Sequence, residues 1–132
     1  MTNFLLALRP PIDIEPTTDS AEPIQAGSFQ NQTLRPILKG QNEALLAHFR
    51  HYLHKRKDTF FRLSEREQLD YIAHTLRTDQ KFKNFLVGQI VGWMTAEERS
   101  TFLAQEAELT RRTVDLLIQR FQSQRAAVVG RF

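Results

Sequence analysis

Ser64-Glu65-Arg66-Glu67 and Thr95-Ala96-Glu97-Glu98 each place a hydroxyl three residues ahead of a glutamate, just before a helical apolar rhythm. In such a capping box the hydroxyl accepts from an early orphan backbone N–H, and the glutamate reaches back to the N–H of the cap. Two boxes of this kind divide the chain into helices. Between them no sequence pattern carries recognisable chemistry.

The chain has 132 residues, enough for one domain. It is 41% apolar and 25% charged, in the globular range. Ten Phe stand against one Trp and two Tyr, which favours core packing, because phenylalanine has no polar handle. With no cysteine there is no disulfide framework, thiolate nucleophile or zinc ribbon. The longest uncharged run, Asn84 to Ala96, spans thirteen residues. A bilayer needs about 20. The start of the chain lacks a basic n-region, so a cytoplasmic protein is expected, with no membrane partner.

Residues 9 to 30 hold four of the five prolines and no helical or strand period, which predicts a Pro-rich extended arm over 1–30. The arm carries an apolar patch, Phe4, Leu5, Leu6 and Leu8. Its charge is Arg9 against Asp13, Glu15, Asp19 and Glu22, a net of −3. Residues 31 to 125 carry sixteen Lys/Arg against eleven Asp/Glu, a net of +5. The helical domain is expected over 31–132, its first long helix starting at Pro36, with Arg35 biased away from helical backbone. Leu38, Leu45, Phe49, Tyr52 and Leu53 form its stripe. A second helix follows the Ser64 cap through Leu69, Ile72, Ala73 and Leu76. Thr78 is a candidate cap for a third, faced by Phe82, Phe85, Leu86, Ile90 and Trp93 and ended at Gly92. The fourth runs from about residue 96 to 124, with Phe102, Leu109, Leu116, Leu117 and Phe121 inward. The fold class is all-α: a four-helix antiparallel bundle or an irregular helical domain.

His48, His51 and His54 are the clearest candidates for metal chemistry, but the series drifts around the helix with no nearby acid, so no metal site is assigned. Asp70 and His74 have the spacing of a base and its orienter and lack a nucleophile. No catalytic motif occurs, and no cofactor is expected. Gly88 and Gly92, followed by Trp93, make a Gly-x-x-x-Gly notch, read as a close helix approach within the monomer or as a dimer seam. Lys55, Arg56, Lys57, Lys81, Lys83, Arg111 and Arg112 are the candidates for phosphate contact. They come from different helices, alternate with acids and match no nucleic-acid fold signature.

The runs Phe4-Leu5-Leu6-Ala7-Leu8-Arg9-Pro10 and Phe29-Gln30-Asn31-Gln32-Thr33-Leu34-Arg35-Pro36-Ile37-Leu38-Lys39 resemble a family of short bacterial helical proteins. So do Asp79-Gln80-Lys81-Phe82-Lys83-Asn84 and Leu117-Ile118-Gln119-Arg120. The resemblance implies the same layout over nearly the whole chain, arm included, without an established activity or any site residue. Some members bear a glyoxalase label. This sequence does not support it, since metal-dependent lyases of that type present His and Glu ligands from strands. The expected function is therefore a non-enzymatic module for protein–protein interaction or self-association, with Phe4, Leu5, Leu6, Leu8, Gly88, Gly92 and Trp93 as its contact residues. The alternative is a nucleic-acid-associated or regulatory protein using the basic surface. Methylglyoxal and glutathione are expected to give no lactoylglutathione, with or without zinc or nickel. Turnover that disappears on changing His48 or His74 would overturn the non-enzyme reading.

Overall fold

The computed structural model describes residues 25–130, and over these the chain is all-α, without a strand. The apolar patch at Phe4, Leu5, Leu6 and Leu8 lies outside the described residues. Among the described helices none is long and apolar enough to cross a membrane.

The first helical stretch starts earlier than its proline suggests. Helix α1 (Ala26–Phe29) runs through a π-helical turn (Gln30–Leu34) into α2 (Arg35–Gly40). Arg35 has ordinary helical backbone, φ −61° and ψ −45°, and its N–H reaches back five residues to the carbonyl of Gln30. Pro36 has no N–H to offer the preceding turn and its ring crowds that turn; the wider π turn accommodates it, so the helix passes through. Residues 26 to 30, assigned to the arm from sequence, are thus helical, and Phe29 is buried.

Helix α3 (Asn42–His54) starts after a break at Gln41, and a 3-10 turn (Thr59–Arg62) leads to α4 (Glu65–Thr78). The chain continues through α5 (Gln80–Val91), α6 (Ala96–Ala104), α7 (Glu106–Ser123) and α8 (Arg125–Val129). Both capping boxes form. Ser64 Oγ accepts from Glu67 N at 3.2 Å while Glu67 Oε1 accepts from Ser64 N at 2.9 Å. At Thr95 the two distances are 3.1 and 2.9 Å.

The cap of α5 is Asp79 rather than Thr78: its Oδ1 accepts from Phe82 N at 3.1 Å. The Thr78 hydroxyl instead donates to the His74 carbonyl at 2.7 Å. The single fourth helix expected from sequence is broken at Gln105, φ −128° and ψ 40°, into α6 and α7, with no proline or glycine marking the break. All five of its expected core residues are nevertheless buried. Thr113, in the middle of that stripe, is fully buried too and donates to the Leu109 carbonyl, which satisfies its hydroxyl.

The core gathers residues from every one of these segments, with α4 and α7 in extensive contact. A buried polar link fastens its edge. Gln68 Nε2 donates to the Phe60 carbonyl, and its Oε1 accepts from Arg125 at 2.6 Å, tying the 3-10 turn and α8 to α4. Gly88, by contrast, meets nothing: a Cβ built there has no neighbour within 4 Å. The helix approach inferred from the Gly-x-x-x-Gly spacing is therefore not made within the described residues.

Ser64→Ala and Thr95→Ala are each expected to cost about 1 kcal/mol in chemical denaturation. The loss should be larger at Thr95, which is buried. Gly88→Ala is expected to gain up to about 1 kcal/mol, because the position has open space and helical backbone. A destabilised Gly88→Ala protein would mean that something packs on that face.

Candidate functional site

The basic end of α3 meets the start of α5, and a hollow of about 490 Å³ opens between them. His48, His51, Tyr52 and Lys55 enter it from one helical face, at steps of three and four residues, and Arg56 joins them from the turn beyond. Asp79, Lys81, Phe82 and Phe85 line the other side.

The floor is aromatic. The Tyr52 and Phe82 rings stack with centroids 4.1 Å apart, and the Arg56 guanidinium sits 3.6 Å above the Tyr52 ring, in cation–π geometry. Asp79 joins these groups. Its Oδ2 accepts from the Tyr52 hydroxyl at 2.6 Å and from Arg56 at 3.1 Å, while Oδ1 caps α5. The Tyr52 hydrogen bond, then the Phe82 backbone N–H, hold the Asp79 carboxyl below the usual range. Burial, then the bond to Asp79, push the Tyr52 phenol above its ordinary value. A tyrosine held protonated and an aspartate held ionised suit anchoring rather than proton exchange near neutral pH.

Asp79 is thus fully engaged, and it neutralises Arg56. Lys55 and Lys81 are exposed, and neither pairs with a carboxylate among the described residues. Beside them Phe85 is 51% exposed, its ring edge-on to His48 at 4.9 Å. Sequence periodicity put Phe85 on the inner face with Phe82, Leu86 and Ile90. At 3.6 residues per turn it falls about 60° outside the arc those three span, on the solvent side.

The structure divides the sequence candidates. His48 and His51 line the hollow, whereas His54 approaches Asp58, Nδ1 to Oδ1 at 2.7 Å, a pair charged only when the imidazole is protonated. No group of three potential ligands capable of holding a metal occurs among the described residues. Of the seven basic candidates, Lys55, Arg56 and Lys81 come together here. Lys57 sits on the turn after α3. Lys83 and Arg111 line a second hollow, where Arg111 binds Glu108 at 2.7 Å and Asp115 at 3.2 Å. Arg112 bridges Glu108 and Gln30, clamping the π turn to α7. Gly88 and Gly92 are exposed, and Trp93 is half-buried at the core edge. Sequence reasoning missed the Tyr52–Asp79–Arg56 cluster. Its only local signal was the spacing of Tyr52 and Arg56, four residues apart.

Tyr52→Phe is expected to lower stability by about 1 kcal/mol at pH 7, the range for a partly exposed hydrogen bond to a charged group. The Asp79 pKa is depressed in the fold, so this stabilisation is present above its unfolded value, about 3.9, and lost as pH falls through the lower folded value. Urea denaturation across a pH series should therefore show the difference between wild type and variant closing in acid. A difference that stays constant would remove Asp79 as the acceptor.

Compared with protein-family models, curated proteins and solved structures, the chain shows no match.

Proposed function

We propose that this chain is a non-enzymatic protein-interaction module whose docking surface is the hollow between α3 and α5. Its partner is a protein segment that combines acidic and apolar side chains. One observation carries this reading: a half-exposed Phe85 flanked, over an apolar floor, by two lysines that pair with no carboxylate among the described residues. An isolated exposed apolar residue is ordinary, but one set in a concave site with convergent charge has the composition of an anchor pocket. The open face of α5 continues from Phe85 past Gly88 to Gly92, so an incoming chain can approach the helix backbone closely there. The same face is available to a second copy, which keeps self-association within this proposal.

Binding of single-stranded nucleic acid is the second reading, favoured by the same lysines with Phe85 as a base-stacking platform. It is the weaker of the two. Among the described residues only one phenyl ring is exposed in the hollow, and Arg111 and Arg112 are engaged by Glu108 instead of extending a basic track.

Fluorescence anisotropy with a labelled peptide alternating Asp/Glu with Leu/Phe, and in parallel with labelled oligo(dA), separates the readings. The peptide is expected to bind, and Phe85→Ala to weaken it about fivefold, since burying half a Phe side chain contributes about 1 kcal/mol. Lys55→Glu combined with Lys81→Glu should abolish binding. Tight oligo(dA) binding that falls steeply with salt, with no peptide binding, would favour the nucleic-acid reading.

A further inference from the structure

The hollow is basic, and the same chain carries an acidic, apolar segment outside the described residues. We propose that the occupant of the hollow is the chain's own N-terminal segment, residues 4–22, docked in cis. This rests on the reading of the hollow as a docking surface.

Charge complementarity is the first argument. Four acids, Asp13, Glu15, Asp19 and Glu22, fall within ten residues of sequence, with Phe4, Leu5, Leu6 and Leu8 just upstream. This is the chemistry the hollow fits: carboxylates for Lys55 and Lys81, and apolar side chains for Phe85 and the open face at Gly88. The two halves match in length. Lys81 and Gly88 lie about 10 Å apart along α5 at 1.5 Å per residue. Leu8 and Asp13 are separated by up to about 16 Å of extended chain, enough for one to rest by Gly88 while the other meets Lys81.

Reach is the second argument. Seventeen residue steps separate Leu8 from Gln25. Fully extended they span about 55–60 Å, whereas a domain of about 100 residues has a radius of gyration of about 13 Å. Every face of the domain is therefore accessible to its own segment. A tethered ligand that can span to its site is present at an effective concentration in the millimolar range, well above that of a second copy in dilute solution. This difference favours cis docking. External acidic segments then compete with a built-in one, and the full chain binds them more weakly than an open hollow would.

The chain has no cysteine, so Ala7→Cys places a nitroxide at a single position in the full-length protein. In ¹⁵N spectra, amides of residues 48–52 and 81–88 are expected to lose intensity relative to the reduced label, independently of protein concentration. Adding Lys55→Glu and Lys81→Glu should restore them. Intensity loss confined to another face, or absent altogether, overturns the proposal. So does loss in a mixture of labelled ¹⁴N protein and unlabelled ¹⁵N protein, which would make the occupant a second copy. If the acidic peptide still displaces signals in the hollow while the N-terminal label does not, the docking surface stands and only the assignment of its occupant fails. If neither perturbs the hollow, both fail.

Discussion

Phe49 is the contact on which the rest of the molecule depends. Fully buried on α3, it stacks on Phe121 of α7 with centroids 4.8 Å apart and on Phe82 of α5 at 6.3 Å, and meets Phe60 of the 3-10 turn edge-on at 5.8 Å. One ring thereby joins four segments distant in sequence. Aromatic pairs at these separations contribute beyond simple burial, and their offset geometry restricts the relative orientation of the helices that carry them. The abundance of phenylalanine in the chain has its physical meaning here, in a core assembled around stacked rings that need no hydrogen-bond partner.

The hollow is an outgrowth of that core. Phe82 packs against both Phe49 and Tyr52, whose rings also stack on each other at 6.5 Å, so the floor of the site is held by the same aromatic cluster that closes the interior. The backbone beside it is strained: Lys57 and Asp58 both adopt left-handed conformation, φ 61° and 56°. Two adjacent non-glycine residues in this region cost about 1 kcal/mol apiece or more, and such strain persists only where the surroundings over-determine it. The turn reverses the chain directly after Lys55 and Arg56, with Asp58 N–H bonded to the Leu53 carbonyl. It thereby fixes where α3 ends and where its terminal cations stand.

The features legible in sequence were those decided locally. A capping box is satisfied within four residues, so Ser64 and Thr95 declared their helices without reference to the remainder of the fold. The inner face of α7 was legible for a similar reason, since apolar spacing reports burial; on α4 the spacing found Ile72 and Leu76, while Leu69 and Ala73 are only half-buried and the polar Gln68 and Thr75 complete the inner face. Pro36 misled because its usual rule assumes an α-helical turn before it, and the chain supplies a π turn instead. Thr78 and Asp79 are both competent caps, and adjacency leaves their order to the backbone. The candidate site was the least legible part. Its central hydrogen bond joins residues 27 apart in sequence, and Phe85 differs from its buried neighbours only by a modest rotation around the helix. The basic residues were visible one by one. Which of them Glu108 and Asp115 would engage was a matter of tertiary placement.

The π turn at Gln30–Leu34 is also where this first helical stretch has slack. Such a turn is equivalent to one extra residue in a helix, taken up by its wider winding. Removing a residue there would restore ordinary α-helical winding and leave Phe29 with nearly the same bearing on the core. The same deletion in the regular winding of α2 has nothing to absorb it and would rotate Phe29 by about 100° relative to the residues that follow. An error of helical phase is thus tolerated at one turn, which Arg112 holds through Gln30, and not in the ordinary helix that follows it.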